Sequence, residues 1–90
     1  MTTLVLSNCV KALEGFNGNS GISVQAQAIN NRGPNIPPTV ELYFTRGNQV
    51  LSVNLCCTGR EIVLRTTSST RKFSSNNPAK DIWAYLINLL

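Results

Sequence analysis

The chain has no histidine and only four acidic residues, Glu14, Glu41, Glu61 and Asp81, scattered along 90 positions. Without imidazole it lacks the commonest general acid–base group and metal ligand. None of the four carboxylates has the close spacing of a catalytic pair, so a hydrolase or transferase is disfavoured. Cysteine is scarce as well: Cys9, Cys56 and Cys57 are an odd number, two of them adjacent, which makes no disulfide framework. Three thiols without histidine also make a poor zinc site, and no cofactor motif is present. There is no Asn-x-Ser/Thr acceptor, and no apolar run approaches the ~20 residues of a membrane span. The N-terminus carries no positive start before its apolar stretch, so a cleaved secretory signal is not expected. These absences favour a reducing intracellular setting, cytoplasmic or nuclear.

What is present is an excess of positive charge. Eight Lys and Arg against four acids leave +4, although only 13% of residues are charged. Hydrophobic residues at 42% suffice for a core, and this length makes one domain.

Periodicity predicts the elements. Val5, Leu6, Cys9, Val10, Ala12 and Leu13 share one side of a helical wheel, with Leu4 alone misplaced, so residues 3–13 are predicted helical. Thr2 or Thr3 can cap its start and Gly15 can supply a left-handed stop. Residues 15–21 are glycine- and asparagine-rich and predict a loop. Alternation of period two predicts strands over 22–28, 40–45, 51–55 and 61–67, with reversals at Gly47-Asn48 and Thr58-Gly59. Residues 30–38, with three prolines, and the hydroxyl- and amide-rich 68–77 are predicted connectors. A second helix is predicted over 78–90, capped by Asn77, with Pro78 at its first position and Asp81 in its first turn. The predicted fold class is α+β: a two-layer sandwich, αββββα, with a four-stranded antiparallel meander and both helices on one face. Ser23, Gln25, Gln27, Tyr43, Ser52 and Asn54 would line the uncovered face. Cys56 and Cys57 should point to opposite faces, so only one can enter the core.

Two short patches resemble the double-stranded-RNA-binding domain, an αβββα fold. Arg32-Gly33-Pro34 followed by Val40-Glu41-Leu42-Tyr43 resembles that family's Gly-Pro loop between its first two strands. Ala79-Lys80, with Ala84 and Leu86, resembles its alanine-rich second helix. The resemblance implies RNA as ligand. The chain departs from the family in three ways: Asn35 or Ile36 stands where the loop histidine would be, the phosphate-gripping lysine cluster is reduced to Lys80, and there is a strand too many.

Two function classes follow. In the first, the chain is a small non-enzymatic RNA- or nucleic-acid-binding module. A meander whose Gly47-Asn48 turn closes one end of the sheet would gather Arg46, Arg65, Arg71 and Lys72 there, with Tyr43 or Phe73 as a stacking ring. Basic residues near loop ends serve equally as solvated charge. In the second, the chain is an assembly module, a homodimer or a subunit bound to another protein. Ile82, Trp83, Leu86, Ile87, Leu89 and Leu90 span roughly 200° of the last helix, against about 100° for an ordinary surface helix. Trp83, Ile87 and Leu90 would then form a partner interface, or else the helix sinks into a groove of its own domain. The chain ends on Leu89-Leu90 without a cationic last turn, which leaves open that it is part of a longer protein. The Gly15–Gly21 spacing is not a nucleotide-binding fingerprint, and Pro34-Asn35-Ile36-Pro37 is either a connector or a Pro-x-x-Pro ligand.

Overall fold

One helix precedes the sheet and another follows it, and every described residue that pairs into the sheet lies between them. The computed structural model describes residues 2–74 and 76–90, with the side chains of residues 2 and 3 outside the described set. The cap predicted at Thr2 or Thr3 therefore lies outside what is described. Helix α1 spans Thr2–Gly15 and α2 spans Pro78–Ile87. The strands β1 (Ser23–Ala26), β2 (Thr39–Arg46), β3 (Gln49–Thr58), β4 (Glu61–Arg65) and β5 (Thr70–Phe73) form one antiparallel sheet in the order β1-β2-β3-β4-β5.

The α+β class and the helix–sheet–helix order are as predicted. The strand number is not: residues 70–73, placed in a connector by the sequence reading, add a fifth strand to the predicted four. Physically, the β4–β5 reversal is built without glycine. The Thr66 hydroxyl accepts from the Ser69 and Ser68 amides at 3.1 and 3.4 Å, and the Thr66 amide donates to the Ser69 carbonyl at 2.9 Å. A threonine side chain thus supplies the turn that glycine or asparagine usually signals. The two predicted hairpins are more conventional. Gly47 and Gly59, with φ of 62° and 60°, each hold the first central position of a two-residue loop, where a positive φ matches the twist of the strands. The left-handed stop expected at Gly15 is not found: Gly15 is the last residue of α1, and the first positive φ, 91°, comes at Gly18 ahead of the 3-10 turn Asn19–Gly21.

The core lies between the two helices and one face of the sheet. Leu6, Cys9, Val10 and Leu13 of α1 are buried at helical spacing, and Ala79, Ile82 and Leu86 do the same for α2. Beneath them, alternate residues of the strands are buried: Val40, Leu42 and Phe44 of β2, Val53, Leu55 and Cys57 of β3, Ile62 and Leu64 of β4. Each fully buried leucine or isoleucine contributes about 2 kcal/mol relative to exposure. Alternation also settles the adjacent thiols: Cys57 enters the core and Cys56 stands half-buried on the outer face.

The wide apolar arc of α2 is filled largely within the molecule. Trp83 stacks on Phe16 at a centroid distance of 5.1 Å and an interplanar angle of 26°, and meets Phe44 at 6.3 Å. Ile87 and Leu90 are likewise half-buried against the core, and Leu89 alone of the arc is exposed. Among the described residues, no helix is long and apolar enough to cross a membrane.

Candidate functional site

Strand β5 forms one edge of the sheet, and its alternation decides which way its charges point. Phe73 pairs with Ile62 and Arg71 with Leu64, so both face the helices; Lys72, paired with Val63, faces the opposite side. Phe73 is buried and meets the Tyr85 ring of α2 edge-on at 5.9 Å and 61°. Arg71, one rung further along, lays its guanidinium carbon 4.8 Å from the Tyr85 centroid and 5.6 Å from that of Phe73. Such cation–π contacts are worth about 0.5–1 kcal/mol each at exposed sites. Tyr85 is itself held, its hydroxyl 3.2 Å from the Ser69 hydroxyl.

Between β5 and α2 these residues line an open groove of about 560 Å³, with Ser74, Asp81, Ala84 and Asn88 completing the wall and Lys72, whose side chain alternates to the other face, at its rim. Among the described residues, Arg71, Lys72 and Arg65 form no ion pair. The groove therefore offers a planar cation fixed on two rings, with its N–H edge unspent, which suits bidentate binding of a phosphate or carboxylate. Asp81 is the one acid in the lining, and it stands in the first turn of α2.

The free margin of β5 adds backbone donors. The Thr66–Ser69 amide bond makes that pair a hydrogen-bonded rung, so Leu64–Arg71 and Ile62–Phe73 are hydrogen-bonded rungs too. The N–H groups of Thr70 and Lys72 then point away from β4. No described residue takes a hydrogen bond from either.

The four basic residues predicted to gather at one sheet end are not gathered. Arg46 and Arg65 pair with Gln49 and Asn54 of β3, five residues or about 17 Å apart. Arg46 faces the helices and donates from Nη2 to the Leu90 carbonyl. Arg65 lies on the outer face, directly opposite Thr70 and diagonal to Lys72, a spacing of about 7–8 Å. Arg71 is on the other side of the same strand from Lys72. The cause is β5 itself: had residues 68–77 been a connector, Arg71 and Lys72 would have left the sheet beside Arg46. As a strand they run back along β4.

The aromatic expectations divide similarly. Phe73 is buried and has no face open to a base. Tyr43 lies half-buried on the outer face and donates its hydroxyl to Glu41, a bond that, with the Glu41 charge, raises the phenol above its ordinary value. Tyr85, which sequence reasoning passed over, is the ring that organises the groove. Its position opposite Arg71 depends on a strand that periodicity did not reveal. The proposed interface residues Trp83, Ile87 and Leu90 all pack against their own core.

The two core thiols, Cys9 and Cys57, are not activated. Burial, reinforced by the Cys57 charge, pushes Cys9 up to about 11, and burial also raises Cys57, so both are neutral near pH 7 and poor nucleophiles. Among the described residues no three Cys, Asp or Glu side chains lie close enough together to hold a metal ion. No protein-family model, curated protein or solved structure matches the chain, and the chemistry of this groove stands on its own residues.

Proposed function

We propose that the chain is a small, non-enzymatic module that binds RNA or another nucleic acid through the phosphate backbone, at the β5 edge and the groove beside α2. The observation that carries this reading is Arg71. Its guanidinium lies over Tyr85 and Phe73 with no acidic partner, on an unpaired strand edge that also bears Lys72 and neighbours Arg65. A pre-oriented guanidinium, nearby cations and free amides are what phosphate contacts use. The overall charge of +4 supplies the long-range attraction.

The likeness to double-stranded-RNA-binding domains points to the same ligand class. Here the phosphate contacts fall to β5, since Lys80 stands alone at the start of α2. Arg46, drawn to the Leu90 carbonyl, is not part of this surface. The assembly reading, with Trp83, Ile87 and Leu90 as a docking face, has less support because those side chains are already engaged.

The test is the salt dependence of binding to a labelled oligoribonucleotide by fluorescence anisotropy. Three phosphate contacts on a single strand predict a log–log slope near −2, or roughly twentyfold weaker binding between about 50 and about 200 mM salt. The double variant R71A/K72A should lose most of the binding while keeping its far-ultraviolet circular dichroism. Salt-independent binding, or an unchanged double variant, would refute the proposal.

A further inference from the structure

The proposed surface is built around a strand edge, and its cations lie on both sides of that edge. Arg71 is on the helix side, in the groove with Tyr85. Lys72 and Arg65 are on the outer face, where no helix lies. Between the two sides runs the bare margin of β5, with the Thr70 and Lys72 N–H groups directed outward.

We infer that the ligand is a single strand of nucleic acid that crosses the β5 edge, giving one phosphate to Arg71 in the groove and others to Lys72 and Arg65 on the opposite face. This inference rests on the nucleic-acid reading above and narrows it. A flexible strand can turn over an edge one strand thick and meet cations on both faces. A duplex is stiff over far more than this distance, with a persistence length of about 150 bp for DNA. It would meet Arg71 or the Lys72–Arg65 pair, but not both. The outward amides lie on the path and can donate to phosphate oxygens as the strand passes.

Charge also decides against other occupants of the edge. A second copy pairing β5 antiparallel to β5 in full overlap would set either Arg71 or Lys72 opposite its own equivalent, an unfavourable like-charge arrangement across strands. A polyanion relieves that repulsion.

The experiment compares a fluorescein-labelled uridine oligomer of about twelve nucleotides with an RNA duplex of equal length, at low salt. Wild type, R71A, K72A and R65A are each titrated against both. Lys72 and Arg65 are exposed and pack on no ring, so those two variants keep the fold intact even if R71A loosens β5. The expected result is a strand bound at least tenfold more tightly than the duplex. R71A should weaken the strand about tenfold, and K72A and R65A about threefold to fivefold each, with duplex affinity barely changed by any single variant.

Equal or tighter duplex binding would overturn the inference while leaving the nucleic-acid reading in place. So would a strand affinity that depends on Arg71 but not on Lys72 or Arg65. If neither nucleic acid binds at low salt, both fail. A dimer formed in the absence of nucleic acid and abolished by K72E would assign the edge to a second copy instead.

Discussion

The two margins of the sheet are strands of the same length, four residues each, yet they are finished in opposite ways. At the β1 margin, the outward Val24 amide is taken by the Asn17 side-chain oxygen at 2.8 Å. That edge carries no charge, and beyond it the Asn30–Thr39 bridge keeps the chain paired to the start of β2. At the β5 margin the Thr70 and Lys72 amides are left open, and the neighbouring side chains are Arg71 and Lys72. An exposed strand edge invites pairing with another chain, and proteins commonly block it with a cap or with charge. Here one margin has the cap and the other the charge. The cap takes one of the two outward amides of β1 and leaves that of Ala26, whereas positive charge closes an edge to a second copy and leaves it attractive to an anion.

The largest expected effect comes from removing what anchors the open margin. Phe73 is its one buried side chain, and Phe73→Ala should cost about 3 kcal/mol. Urea unfolding should register the loss, and amide exchange should quicken in β5 before β1. Alkaline pH probes the other side, because Cys9 lies on α1, the helix packed over β1 and β3. Its folded pKa of about 11 lies above the ordinary 9.0, so the neutral thiol's contribution is complete below pH 9. As pH rises from 9 to about 11 the unfolded thiol ionises first, and stability should fall by up to about 3 kcal/mol. Cys9→Ala should flatten that fall in a pH series of thermal melts; an unchanged slope would contradict it. A smaller effect, about 1 kcal/mol, is expected for Asn17→Ala, which frees the Val24 amide. Light scattering should then show self-association through the uncapped, uncharged β1 margin. The smallest is Tyr85→Leu, which keeps an apolar side chain but removes the ring beneath Arg71. Its cost should be about 0.5–1 kcal/mol in stability, and weaker oligonucleotide binding with Arg71 still present would mark Tyr85 as the residue that positions it.

Much of the architecture could be read from the sequence because it is carried by repeating patterns. Leu6, Cys9, Val10 and Leu13 mark α1 by helical spacing. Val40, Leu42 and Phe44 mark β2 by alternation, and Gly47 and Gly59 mark the hairpins. The N-cap at Asn77 was equally legible, and its side chain accepts from the Lys80 amide. Strand β5 escaped because Thr70–Phe73 buries one residue out of four and its turn is made by a threonine hydroxyl. Four residues with one apolar position contain no measurable period. The groove escaped for the same reason, since Arg71 and Tyr85 are brought together by that strand. Likewise the Arg46–Leu90 contact joins residues 44 apart, and no local pattern anticipates it.

The most direct test of the two margins is a ¹⁵N–¹H correlation spectrum of the labelled protein during titration with a short uridine oligomer. The account predicts that the amide signals of Thr70, Arg71 and Lys72, with the side-chain signal of Arg71, shift progressively, while those of Val24 and Ala26 stay in place. Shifts centred on β1 or on Trp83, Ile87 and Leu90, with β5 unmoved, would contradict it.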